Sequence, residues 1–138
     1  MGIGKVEHYT DLLKMLAEHS SVKHKHACAI IQNGKLCGVG INKYLPGKGM
    51  KICLHSEIDA MAGVKVLKGK DLFVIRLSSN NKLRMSKPCS GCLKKIKASG
   101  IKKVYYSTNE QTIAVENAAD IVPDYHCSMS LFRNGVRV

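Results

Sequence analysis

The tightest constraint in this sequence is the run Pro88-Cys89-Ser90-Gly91-Cys92. Two cysteines three positions apart on a helix project from one face, at about the separation that two corners of a tetrahedral metal site require. Pro88 stands where a helix can begin, because the N–H it lacks is not needed there, and Ser99-Gly100 ends that helix. In a first helical turn, unpaired N–H groups and the positive end of the helix dipole favour thiolate over thiol, and thiolate is the form that binds metal.

A second segment can complete such a site. Cys53-Leu54-His55-Ser56-Glu57 precedes apolar residues at Ile58, Met61, Ala62 and Val66, a helical spacing that predicts a helix starting close to His55 and running to Leu67. His55 can then supply a third ligand. Three protein ligands leave a fourth tetrahedral position open, and water there has its pKa lowered toward ~7. Glu57 follows His55 by two positions, about 200° around an ideal helix, so it is badly placed to chelate the same ion. It can still take a proton from the water and deliver one to a substrate. Two other readings stand beside this one. Cys37, Cys53, Cys127 or His126 could close a purely structural four-ligand knot, and Cys89 could pair with Cys92 as a disulfide.

Around these motifs the chain alternates between helical and extended patterns. Apolar residues at Val6, Leu12, Leu13, Met15 and Leu16 predict an amphipathic helix from Lys5 to His19. Ala27 to Gln32 and Lys35 to Ile41 read as strands joined at Asn33-Gly34, a two-residue hairpin turn. Lys43 to Lys51, with Pro46, Gly47 and Gly49, reads as loop. Leu72 to Leu77 is a short strand, Ser78 to Ser86 a polar loop, Val104 to Ser107 a strand, and Thr112 to Val115 another beyond a turn at Asn109-Glu110. This order implies an α/β layer structure with a mixed sheet, and 138 residues suit one domain, 1–138. The six cysteines follow an N-terminus without an apolar run, so reduced thiols and a soluble, cytoplasmic protein are expected. No stretch approaches the ~18 apolar residues that cross a bilayer, so no membrane partner is expected.

The combination of His55-Ser56-Glu57 with Pro88-Cys89-Ser90-Gly91-Cys92 resembles the cytidine and deoxycytidylate deaminase superfamily, over about Ser21 to Tyr106. The resemblance implies an α/β fold, a three-layer α/β/α sandwich whose five-stranded mixed sheet carries both zinc helices on one side. It also implies Zn2+ held by His55, Cys89 and Cys92, with Glu57 as proton shuttle. Asn42, after Gly38-Val39-Gly40-Ile41, resembles an asparagine that contacts substrate, and Ala29 stands where relatives often place a small residue below the base. Ser56, Ser86, Tyr44 and Lys48 complete the expected substrate-contacting set. Such proteins act on small nucleosides or nucleotides and usually assemble as homo-oligomers. A hairpin between Val104 and Val115 would make the last two strands antiparallel, which resembles the free-nucleoside branch more than the nucleic-acid branch. Three positions depart from the usual pattern: Ser56 between His55 and Glu57, Asp59 where nucleotide-acting relatives often have Asn, and Lys87 before Pro88, where adenosine deaminases of transfer RNA usually carry an acid.

Charge bears on the substrate. Lys plus Arg is 22 against 10 for Asp plus Glu, a formal +12, which favours acidic partners. Lys23, His24, Lys25 and His26 before the first strand, and Lys43, Lys48 and Lys51 after the second, could receive a phosphate, so dCMP is the expected nucleotide. Single-stranded DNA or RNA is the competing substrate, but the chain has no Trp and only 5% aromatics, few platforms for stacking bases. A non-catalytic zinc module is the third reading, and Glu57 argues against it, since a structural site has no evident need for an unliganded carboxylate beside the metal.

Overall fold

The computed structural model describes residues 1–45 and 52–123. It opens with α1 (Ile3–Ala17), followed by β1 (Lys25–Gln32) and β2 (Lys35–Ile41). Tyr9, Leu13 and Ala17, spaced by four, are the apolar residues that α1 buries, as one stripe of a helix must. Met15 is exposed. The turn between β1 and β2 places Asn33 at φ 50° and Gly34 at φ 76°. Two successive positive φ angles twist in the sense of the strands they join, which is why Asn-Gly selects this hairpin. The Tyr9 hydroxyl donates to Gly34 O at 2.7 Å and ties the turn to α1.

Next come β3 (Lys43–Leu45), β4 (Ile52–Leu54), α2 (Ser56–Ala62), β5 (Asp71–Leu77), β6 (Leu83–Arg84), α3 (Ser90–Ser99), β7 (Lys103–Ser107) and β8 (Ile113–Asn117). The sheet runs β2-β1-β5-β7-β8, with β6 added to β5 beyond the end of β7. Only the β5–β7 pair is parallel along that path; β1–β2, β1–β5 and β7–β8 are antiparallel. This is the expected mixed sheet, with its last two strands antiparallel, but it has six strands and not five, because the two-residue β6 joins it on β5. Alternation along each strand sorts the core into two layers. Ala27, Ala29, Ile31, Phe73, Ile75 and Tyr105 pack with α1, whereas Cys28, Ile30, Leu72, Val74, Val104 and Tyr106 pack with α2 and α3. The three-layer arrangement is therefore as expected, with both candidate zinc helices on one side.

Local differences from the expected elements have local causes. The second helix stops at Ala62, not Leu67, with Gly63 as its cap and Val64 N–H bonded to Met61 O; glycine is a poor helix former, and Val66 is exposed. Part of the expected 43–51 loop is β3, which pairs with β4 as a separate ribbon. The 78–86 loop contains β6, and the last strand continues to Asn117. Gly100, at φ 82°, closes α3 as the sequence indicates. Among the described residues no helix is long and apolar enough to cross a membrane.

Gly38 and Gly40 let α2 lie directly on β2. A Cβ on Gly40 would stand 2.4 Å from Ala60 N and 2.6 Å from Ser56 O, and one on Gly38 would stand 2.7 Å from the Val64 side chain. Asp59 fastens the same contact: its carboxylate accepts the Ile41 N–H at 3.1 Å and pairs with Lys43 Nζ at 3.3 Å. Gly40→Ala should destabilise the protein by about 1–3 kcal/mol through overpacking against helix backbone. Urea denaturation measures this, and an unchanged midpoint would show that α2 can ride up without cost.

Candidate active site

The carboxyl ends of the parallel strands β5 and β7 open onto the start of α3, the usual place for a site in such a sheet. A hydroxyl network positions the connecting segment there. Ser86 Oγ donates to Val74 O at 2.8 Å and accepts the Ser107 N–H at 2.8 Å, while Ser86 N–H donates to Ser107 O at 3.0 Å. Ser107 Oγ donates to Arg84 O at 2.6 Å and accepts the Arg76 N–H at 3.1 Å. Pro88, fully buried, precedes the helix by two residues instead of beginning it, and Cys89 takes the N-cap with extended backbone. Its carbonyl accepts the Leu93 N–H at 2.9 Å, so Cys92 falls in the first turn. His55 holds the matching N-cap position on α2, also extended, with its carbonyl accepting the Asp59 N–H at 3.1 Å.

The two caps bring their side chains together. His55 Nδ1 lies 3.2 Å from Cys92 Sγ and 3.7 Å from Cys89 Sγ, and the three donor atoms all lie within 4.8 Å of one another. Zinc bonds of about 2.0–2.1 Å to nitrogen and about 2.3 Å to sulfur set donor–donor edges of about 3.5–3.8 Å in a tetrahedron. The observed spacings fit that ion with little movement. Cys89 and Cys92 are both buried thiols, not a disulfide. Among the described residues this is the one such group: Cys37 is exposed on β2, and Cys53 Sγ is directed to Leu54 O. Cys127, His126 and Lys51 lie outside the described residues.

Glu57 is not a member of the ligand group. It sits in the first turn of α2, only 5% exposed, and Oε1 accepts from Ser56 Oγ at 2.9 Å. Burial pushes its carboxyl above the usual range, against the opposing pull of its own backbone N–H and of His55. Cys28, on the face of β1 that packs with α2 and α3, has its thiol pushed up by burial first and by the Glu57 charge second.

The other expected substrate contacts divide. Ser56 is beside Glu57 as its hydrogen-bond donor. Tyr44 is 41% exposed on β3, opposite Cys53 in the ribbon that leads to His55. Ala29 belongs to the α1 face. The strand's two-residue period turns it away from His55, and its neighbour Cys28 occupies the site side. Asn42 is buried and engaged: Oδ1 accepts from Ser20 Oγ at 2.6 Å and His26 N–H at 2.9 Å, and Nδ2 donates to His24 O. It pins the 20–26 segment to the end of β2. Ser86 is equally occupied as the strut described above. Lys48 lies outside the described residues. Lys87 points to β8, pairing with Glu116 at 3.7 Å and lying over the Tyr106 ring.

His26 is the site-facing residue that a reading of β1 as mere basic charge overlooks. It shares the face of Cys28 and Ile30, and burial above all lowers its pKa to about 4, with Arg76 and His55 both acting on it. Counting two residues back from Cys28 would have found it. Zinc content gives the first test of the group. His55→Ala, Cys89→Ser and Cys92→Ser should each lose most bound zinc, and Cys53→Ser should keep it, as measured by metal analysis of the purified proteins. Equal losses from Cys53→Ser and Cys89→Ser would make the centre a closed structural knot.

Comparison with known proteins places this geometry. No curated protein matches the chain. Among solved structures, the apo dCMP deaminase of cyanophage S-TIM5 aligns with TM-score 0.61 and 23% identity, covering 77% of this chain and 84% of that one. Cytidine deaminase from Burkholderia pseudomallei aligns with TM-score 0.66 and 19% identity over 91% of this chain and 99% of that one. RibD of Acinetobacter baumannii aligns with TM-score 0.56 and 17% identity, over 76% of this chain but 28% of that one. At these identities the likeness is one of fold. The family model "Cytidine and deoxycytidylate deaminase zinc-binding region" matches residues 4–108, which include His55, Glu57, Cys89 and Cys92, and the chain belongs to that family.

Proposed function

We propose that this protein hydrolyses the exocyclic amine of a cytosine nucleoside or nucleotide, with dCMP first among the candidates and deoxycytidine and cytidine next. One observation carries the reading: a buried carboxylate, Glu57, stands beside a three-donor metal group without belonging to it. A structural zinc site is closed by four ligands and gains nothing from such a neighbour. The cytosine assignment is supported by the family match, and the antiparallel β7–β8 pair favours a small substrate over a polynucleotide.

Zinc held by His55, Cys89 and Cys92 supplies Lewis acidity that makes water a competent nucleophile near neutral pH. The chain's own residues manage the protons. Water oxygen forms a bond to the amino-bearing ring carbon, and Glu57 takes the proton released and passes it to the adjacent ring nitrogen. The carbon–nitrogen bond then breaks with its electron pair on nitrogen. Glu57 carries the second water proton to that amine, which leaves as ammonia, and the carbon keeps the water oxygen as a carbonyl. A carboxyl held above its ordinary range by burial is suited to accept and return a proton in turn. Ser56 Oγ, bonded to Oε1, holds one carboxylate oxygen so that the other faces the substrate.

Incubating the zinc-loaded protein with cytosine, cytidine, deoxycytidine, CMP, dCMP, dCTP, guanine, adenosine and a single-stranded oligonucleotide, with amino-to-oxo exchange read by mass, tests the proposal. Conversion of a free cytosine compound is expected. Glu57→Gln should lower that turnover by about 10²–10⁴-fold while zinc stays bound. No conversion by fully zinc-loaded protein, or full activity in Glu57→Gln, would falsify the reading.

A further inference from the structure

A row of nitrogen-bearing side chains, two of them arginines, crosses the site face of the sheet at the end where α3 begins. His26 on β1 and Arg76 on β5 are direct cross-strand partners, and Arg76 is in turn the partner of Arg84 on β6. Residues opposed in this way project to the same side, and the side is that of Cys28 and Val74, which pack with α2 and α3. Two arginines placed directly opposite repel each other. Among the described residues the two ion pairs are Lys43–Asp59 and Lys87–Glu116, neither of which involves Arg76 or Arg84.

Arg76 is the sharper observation. Its Nη2 lies 2.8 Å from His24 Nδ1, so the neutral His24 ring accepts there and carries its proton on Nε2. Its Nε is buried with no hydrogen-bond partner. A guanidinium whose donor is withdrawn from water and left unmet is costly, and an anionic oxygen from outside the described chain would satisfy both donor and charge. The row lies on the face that carries the metal group: His26 precedes Cys28 by two residues, about 7 Å along the strand, and Cys28 packs in one core layer with Cys89 and Cys92.

We propose that Arg76 and Arg84, with His24 as a third donor, form a subsite for the 5′-phosphate of a nucleoside monophosphate substrate. This rests on the deaminase reading above and deepens it from cytosine compounds in general to a phosphate monoester. A monoester carries more charge per phosphate than a backbone diester and offers three terminal oxygens, enough for a guanidinium fork and a second arginine. Expecting the phosphate on loop lysines overlooks these two residues, because both lie in strands.

The test compares wild type, Arg76→Gln and Arg84→Gln, each shown by circular dichroism and metal analysis to be folded and zinc-loaded, with Arg76→Lys as substitute if Arg76→Gln does not fold. KM for dCMP should rise about 10–100-fold on losing charge-assisted bonds to phosphate, at least tenfold more than the change for deoxycytidine. Inorganic phosphate should shift the His24 ring resonances in wild type and not in Arg76→Gln; with Arg76→Lys, the shift should weaken. Equal KM changes for the two compounds, together with His24 resonances that phosphate leaves unmoved, overturn the subsite. If wild type converts no cytosine compound while the phosphate shift still requires Arg76, the subsite stands and the deaminase reading falls. If a single-stranded oligonucleotide is converted and dCMP is not, the monoester assignment is overturned in favour of a phosphodiester backbone.

Discussion

Three donor atoms on two helices meet only if both helix N-termini are held against one edge of the sheet. The rest of the molecule can be understood from that requirement. On one side, α2 is brought down onto β2 by the missing side chains of Gly38 and Gly40, and Asp59 keeps it there. On the other, the Ser86–Ser107 network sets the height at which Cys89 caps α3. Neither contact touches the metal group. Together they fix the spacing of His55 Nδ1 to the two sulfurs, a preorganisation that the ligands alone cannot supply.

Much of this plan was legible in the residues. Asn33-Gly34 announced its hairpin because only a few residues tolerate two successive positive φ angles. The His55, Glu57, Cys89 and Cys92 pattern announced the centre because metal ligation restricts both residue type and spacing. What escaped is decided by contacts distant in sequence. Whether Ala29 or Cys28 faces the site depends on the parity of β1 relative to its neighbours, and a shift of one residue reverses every side chain. The pairing of β3 with β4 and the placement of Arg84 opposite Arg76 likewise reflect tertiary pairing, for which a two-residue strand carries no local signal. Asn42 is a subtler case. Its type suits substrate binding and strand-end anchoring equally, and the positions of Ser20, His24 and His26, which no local pattern gives, are what show the anchoring.

The excess of basic residues also looks different once placed. As a formal +12 it says only that anions are attracted. Lys87, read in sequence as a departure next to the cysteine motif, is drawn off to Glu116 and Tyr106 on the far strands. Lys43 is committed to Asp59. A charge with a partner is part of the scaffold, and most informative are those the scaffold leaves unneutralised.

One hydroxyl links the two halves of the site. Ser107 Oγ receives the backbone N–H of Arg76 and donates to the carbonyl of Arg84, while the Ser107 backbone carries the segment that ends at Cys89. The guanidinium row and the metal-bearing helix are therefore mounted on one rigid piece of sheet. The interval between them does not depend on how a loop closes. It behaves as a gauge cut into the backbone, against which the length of a bound molecule is measured.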